Sequence, residues 1–270
     1  MRILSALIAL PFVLYLIYLG GWPFAALVLV VSVISLLEIT GMTLGDDPVA
    51  RGVVVVLGAG LVSATSLGVL STDKGLALTC LGLVALLVVF LFRIGEITTV
   101  AQRMGSAVLA LGWGGLLVAS IGALRALPEG GAWVLLACVL AWGTDTGAYF
   151  TGRLLGRHKL YERVSPKKTW EGAVGGLVIG VLLAFVFQRF FGPSALEPAH
   201  LALLAPVGSA LGQLGDLAES LLKRSVGVKD SGRIMPGHGG ILDRIDALVF
   251  VAPTLLAYGI WVLGLSPSWL

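Results

Sequence analysis

Charge is scarce in this chain: only 12% of its 270 residues are Asp, Glu, Lys or Arg, too few to cover the surface of a soluble domain of this size. Cysteine is nearly absent. Cys80 and Cys138 both lie inside apolar runs with neither CxxC nor His spacing, so no disulfide or zinc site is implied. The nucleotide motifs of soluble folds are missing, with no GxxxxGK[ST] loop and no GxGxxG between a strand and a helix. There is no GxSxG, which removes the serine-hydrolase elbow. The two longest polar segments, 152–171 and 222–246, are too short to fold as domains, so any chemistry has to be built from helix ends and short loops.

What the chain has instead is apolar length. It is 57% hydrophobic, with a mean hydropathy of +0.99. Apolar runs occupy about 3–19, 24–44, 53–70, 75–92, 106–124, 132–150, 172–190, 201–221 and 247–264. Such runs suit helices of about 20 residues, whereas barrel strands alternate over about 10. The expected fold is all-α, a polytopic integral membrane bundle of about nine transmembrane helices. The first run, behind Arg2, also has the form of a signal-peptide core, but it lacks a small-x-small cleavage site and a second span follows at once. With a cytoplasmic N-terminus, fifteen of the eighteen Lys and Arg fall on one side, and only Lys74, Arg125 and Arg189 on the other. The positive-inside rule then puts loops 152–171 and 222–246 in the cytoplasm of a cell whose inner membrane carries the protein. The net charge of +3 serves topology and anionic headgroups and implies no nucleic acid.

Residues 1–270 read as one membrane domain, with scaffold helices in 1–130 and a reactive half in 131–264. Glu38 is the main ionisable group of the first part, expected to hydrogen-bond a neighbouring helix. In the second part, Ser209, Gln213, Asp216 and Ser220 follow helical steps of four, three and four, a polar stripe leading into the basic loop. Ser209 and Gln213 suit interhelical hydrogen bonds, but Asp216 needs a cation or a proton. Segment 220–246 carries Lys223, Arg224, Lys229, Arg233, His238 and Arg244 beside Asp243 and Asp246. Ionisable groups cost roughly 2.5–3.5 kcal/mol each at the centre of a membrane helix, so a cluster at a span end marks a site. Cations suit phosphate oxygens, and carboxylates suit a divalent ion. Asp145 and Tyr149 stand one turn apart at the end of the sixth run, and Ser165, Lys167, Lys168 and Thr169 form a donor cluster before the seventh. The lysine pair reads either as a topology signal or as a phosphate clamp. Glycines 172, 176 and 180, and 208 and 212, recur every four residues, for close packing within the bundle or across a homodimer.

Segment 220–246 resembles the signature of phosphatidate cytidylyltransferases, in the form S-x-x-K-R-x4-K-D-x-G-x5-H-G-G-x-x-D-R-x-D. The likeness continues in W-x-x-D-x-x-A-Y at 142–149 and S-P-K-K-T-x-E-G at 165–172, while residues 1–130 share only hydropathy. Met235 stands where the family more often has Leu, Ile or Phe. The resemblance implies that CTP and phosphatidic acid react to CDP-diacylglycerol and pyrophosphate in the bilayer, with Mg2+ as the ion. It implies Asp216 and Asp246 as metal ligands, with Asp243 beside them, and Lys223, Arg224 and Lys229 in the catalytic set. Asp145, Tyr149, Ser165, Lys167, Lys168, Thr169, His238, Gly239, Gly240 and Arg244 would contact substrate. The alternatives are a CTP-dependent kinase or cytidylyltransferase acting on another lipid, such as a polyprenol, and an ion-coupled transporter using the intramembrane aspartates.

Overall fold

Within a bilayer an apolar segment can satisfy its backbone only by winding into a helix or closing a barrel. In the computed structural model, which describes residues 2–45, 47–66, 72–92, 96–232, 234 and 239–267, the described parts of the apolar runs are helical. The helices are α1 (Arg2–Leu19), α2 (Gly21–Thr43), α3 (Pro48–Ser66) and α4 (Thr72–Phe92). A 3-10 turn then leads into α5 (Val100–Ala110), a π-helical stretch (Leu111–Leu117) and α6 (Val118–Arg125). Next come α7 (Gly130–Leu155), α8 (Trp170–Phe191), α9 (Pro198–Ser225), the short α10 (Leu242–Ile245) and α11 (Leu248–Trp261). Among the described residues, six helical stretches are long and apolar enough to cross a membrane: Gly21–Thr43, Pro48–Ser66, Ile97–Arg125, Gly130–Leu155, Trp170–Phe191 and Pro198–Ser225. Ala9–Leu19, Ala77–Phe92 and Leu248–Trp261 are shorter apolar helices. The chain is an all-α polytopic membrane protein.

It forms two compact units, Met1–Ala123 with Asp230–Leu242, and Leu124–Lys229 with Asp243–Ser268. The second half of the basic loop, Asp230–Leu242, goes with the first unit. There, Leu36 of α2 seats against Gly58 and Gly114, where a Cβ would come within 2.5 and 3.0 Å of its side chain. Ser32 donates to the Gly114 carbonyl at 2.6 Å, giving a partner to backbone in the wide π turn. Asp47 accepts from the Ala50 N–H at 3.0 Å, capping α3, and pairs with Arg103, whose guanidinium lies 5.4 Å from the Phe90 ring centre. Glu38 bonds a loop instead of a helix, as developed below.

In the second unit, α7 and α8 pack backbone to backbone. A Cβ on Gly172 would sit 2.9 Å from the Ala148 carbonyl, and one on Gly176 2.7 Å from that of Thr144. On α9, Gly208 faces Leu140 and Gly212 faces Val251, at 3.2 and 3.1 Å. The four-residue glycine spacing is thus used inside this unit, the first of its two readings. One element has no counterpart in the hydropathy pattern: an antiparallel hairpin of β1 (Lys159–Tyr161) and β2 (Ser165–Thr169), pairing Lys159 with Thr169 and Tyr161 with Ser165.

Candidate active site

The site is assembled in the second unit from the hairpin, the C-terminal turns of α9 and the start of the last helical segment. The hairpin is fixed at its base by Glu171, whose carboxylate accepts from the backbone N–H groups of Arg157 and His158 at 3.1 and 3.2 Å. The His158 ring meets the same carboxylate at 2.6 Å. Thr169 is the N-cap of α8, accepting from the Gly172 N–H at 3.1 Å, so its hydroxyl serves the helix. With both ends of β2 held, Lys168 reaches α9 and meets Asp216 at 2.5 Å, each side chain only about a quarter exposed.

The stripe on α9 runs as its spacing suggests. Ser209 bonds Thr144 of α7 at 2.7 Å, Gln213 donates to the Ala173 carbonyl of α8 at 3.1 Å, and Ser220 donates to Asp216 at 3.4 Å. Gly215 brings the next element close, since a Cβ there would lie 2.6 Å from the Asp246 carbonyl oxygen. That approach sets Asp246 beside Asp216 and Glu219, and oxygens of all three lie within 4.8 Å of one another. Glu219 has no exposed side-chain surface; one of its oxygens accepts from Lys223 at 2.7 Å, and the other, Oε1, is buried with no hydrogen-bond partner among the described residues. Lys223 bridges from Glu219 to Asp243, at 2.5 Å. Asp145 is exposed on α7 but within electrostatic reach of Asp216, Lys168 and Asp246. Asp246 lies outside the membrane-length helices. Burial first, and the charge of Asp216 second, push its carboxyl up to about 7.

Among the described residues, three carboxylates, Asp216, Glu219 and Asp246, crowd together, with Lys168 on Asp216 and Lys223 on Glu219. A divalent cation between Asp216, Glu219 and Asp246 would offset that crowding and give Glu219 Oε1 a partner, so this donor set fits a hard, oxygen-liganded ion. Asp243, expected beside the metal, pairs with Lys223, and Glu219, which was not among the expected ligands, joins Asp216 and Asp246.

Other expected site residues are more peripheral. Lys167, Arg224, Lys229 and Arg244 are exposed, and Arg224 donates to the Val228 carbonyl at 3.0 Å, closing the turn after α9. Ser165 is half-buried within the hairpin. Tyr149 is exposed and accepts from Arg153 at 3.1 Å. Gly239, at φ 79°, needs glycine's left-handed freedom, and Gly240 is buried in the first unit. His238, Arg233 and Met235 lie outside the described residues. A cavity of about 380 Å³ lined by Phe185, Gln188, Arg189, Ser194 and Pro198 sits at the opposite ends of α8 and α9, away from the carboxylates.

Residues 1–261 match the model of a family described as the cytidylyltransferase family. The chain is 36% identical over 256 residues to a phosphatidate cytidylyltransferase of Bacillus subtilis, covering 94% of this chain and 95% of that protein. It is 52% identical over 127 residues to one from Staphylococcus epidermidis, about half of each chain (47% and 48%). With one from Haemophilus influenzae it shares 43% over 140 residues, 50% of this chain and 49% of the other.

Proposed function

We infer that the chain, which belongs to the cytidylyltransferase family, transfers the cytidylyl group of CTP to phosphatidic acid, releasing pyrophosphate. The observation that carries this reading is the meeting of Asp216, Glu219 and Asp246 with Lys168 and Lys223 at the end of membrane-length helices. Such a site handles polyphosphate, and the acceptor is a lipid because its acyl chains can stay in the bilayer while its head reaches the helix ends. The names carried by the relatives above agree with it.

Phosphatidate brings its own nucleophile. The second pKa of a phosphate monoester is near ~6, so the attacking oxygen is already anionic at neutral pH. It forms a bond to the α-phosphorus of CTP as the bond from that phosphorus to the β-bridging oxygen breaks, and the electron pair leaves with pyrophosphate. A general base is unnecessary. The histidines described in the second unit are engaged elsewhere, His158 with Glu171 and His200 with Tyr258 at 2.7 Å. What must be overcome is repulsion between anions. Mg2+ held by Asp216, Glu219 and Asp246 would supply positive charge to the phosphate oxygens. Lys168 is the ammonium that exchanges part of its contact with Asp216 for a substrate phosphate. Lys223, clasped by Glu219 and Asp243, holds those carboxylates in place. The exposed Lys167, Arg224, Lys229 and Arg244 supply a field that draws anions in, strongest at low salt. The distribution of Lys and Arg supports a cytoplasmic site in the inner membrane, on the side where CTP is available.

The test is pyrophosphate release by the purified protein in detergent with CTP and Mg2+. Release is expected only when phosphatidic acid is added, and release that ignores the lipid contradicts the assignment.

A further inference from the structure

Glu38 lies on α2, far in sequence from every signature residue, with 7% of its surface exposed. Its carboxylate is taken up by a single loop. Oε1 accepts from the Ile241 N–H, and Oε2 accepts from the Leu242 N–H and the Ser231 hydroxyl, each at 2.9 Å. Gly232 and Gly240 press on the same carboxylate, and a Cβ on either would fall well inside contact distance of its oxygens. Residues 231–232 and 240–242 are therefore gathered on Glu38, with glycine at 232 and 240, where a side chain would displace the carboxylate. A buried carboxylate is unfavourable unless hydrogen-bonded as fully as this one is. Closing a loop needs no such charge.

The residues held are those that open α10 (Leu242–Ile245), and Asp243 and Asp246 follow Leu242 by one and four positions. We propose that Glu38 is a positioning residue for the cytidylyl-transfer site, fixing the backbone at 240–242 and hence the start of the segment that carries both aspartates. It touches neither substrate nor metal, and its role rests on the function inferred above.

Glu38→Gln tests this with little change in volume, because the amide sets an N–H donor against a loop N–H or hydroxyl. Supporting groups of this kind typically change activity or metal affinity by about 10- to 100-fold, so kcat is expected to fall by that factor and the half-activating Mg2+ concentration to rise. Hydrogen exchange provides a readout that does not depend on turnover. The amides of Ile241 and Leu242 should lose protection in Glu38→Gln while those of α7 and α9 keep theirs. Gly240→Ala, which pushes on the carboxylate from the loop side, should give the same pattern. Ser231→Ala removes one of the three bonds and should give a smaller shift in the same direction. Wild-type kcat, Mg2+ dependence and protection in Glu38→Gln would overturn the proposal. So would protection lost throughout α7 and α9 in Glu38→Gln, with Ser231→Ala matching wild type in every readout. Failure of the wild-type protein to form a CDP-lipid from phosphatidic acid would instead reject the transfer reaction, while the exchange pattern would still report whether Glu38 holds the loop.

Discussion

Replacing Glu219 by Gln separates a role in catalysis from a role in folding. Glu219 is fully buried, one oxygen on Lys223 and the other unpartnered among the described residues, with oxygens of Asp216 and Asp246 within 4.8 Å. The variant keeps the side chain's volume and leaves Lys223 paired with Asp243 at 2.5 Å, so no charge is orphaned. It also removes one of several crowded negative charges, and relief of that like-charge repulsion offsets the weakened contact to Lys223 in the metal-free protein. With the ion bound the balance reverses, because one of three anionic ligands has become neutral. Loss of a single preorganised electrostatic contact is worth about 2.7–4 kcal/mol in the transition state, a fall in kcat of about 10²- to 10³-fold. The assay is a Mg2+ titration of turnover beside thermal unfolding in detergent without metal. Low turnover, a raised Mg2+ requirement and an undiminished unfolding temperature are expected. Wild-type turnover at wild-type Mg2+ would remove Glu219 from the ion's ligands, and a large drop in metal-free stability would refute the charge-crowding argument.

Lys168→Gln should lower turnover by about 10²-fold, since it removes the ammonium beside Asp216, whereas Lys167→Gln at an exposed position should have a far smaller effect; wild-type turnover in both variants would return the pair to a topology signal. Because the Asp246 carboxyl is pushed up to about 7, protons should compete with Mg2+ as pH falls through that value. The half-activating Mg2+ concentration should then rise about tenfold per pH unit below it, and a flat requirement from about pH 6 to 8 would contradict this. The metal-free folded state holds that proton more tightly than the unfolded chain. Its stability should therefore fall as pH rises from about 4 to about 7, with Mg2+ restoring it, as unfolding temperatures measured with and without the ion would report.

The helices were legible because their apolar runs are long and nearly uncharged, and the α9 stripe because Ser209, Gln213, Asp216 and Ser220 keep helical steps. Glu219 escaped that pattern for a geometric reason. At about 100° per residue, positions three and four beyond Asp216 fall on opposite flanks of it, and following Ser220 meant leaving Glu219. The spacing of 216, 219 and 223 was the available signal. The hairpin was hidden because Ser165–Thr169 contains a proline and two lysines with no apolar alternation, and it is fixed by Glu171 from outside the strands. The contacts of Glu38 could not be read at all, since its partners are a hydroxyl and backbone N–H groups 193 to 204 positions away.

Transfer of a cytidylyl group to a lipid phosphate and transfer of a terminal phosphate to a lipid alcohol leave different labels behind. CTP labelled separately at the α- and γ-phosphates, incubated with the purified protein, Mg2+ and phosphatidic acid, distinguishes the reactions by where the label goes. α-Label in a CDP-lipid and γ-label in pyrophosphate are expected. The γ-label appearing in a lipid, above all with a diacylglycerol or polyprenol acceptor, would contradict cytidylyl transfer and mark the protein as a kinase.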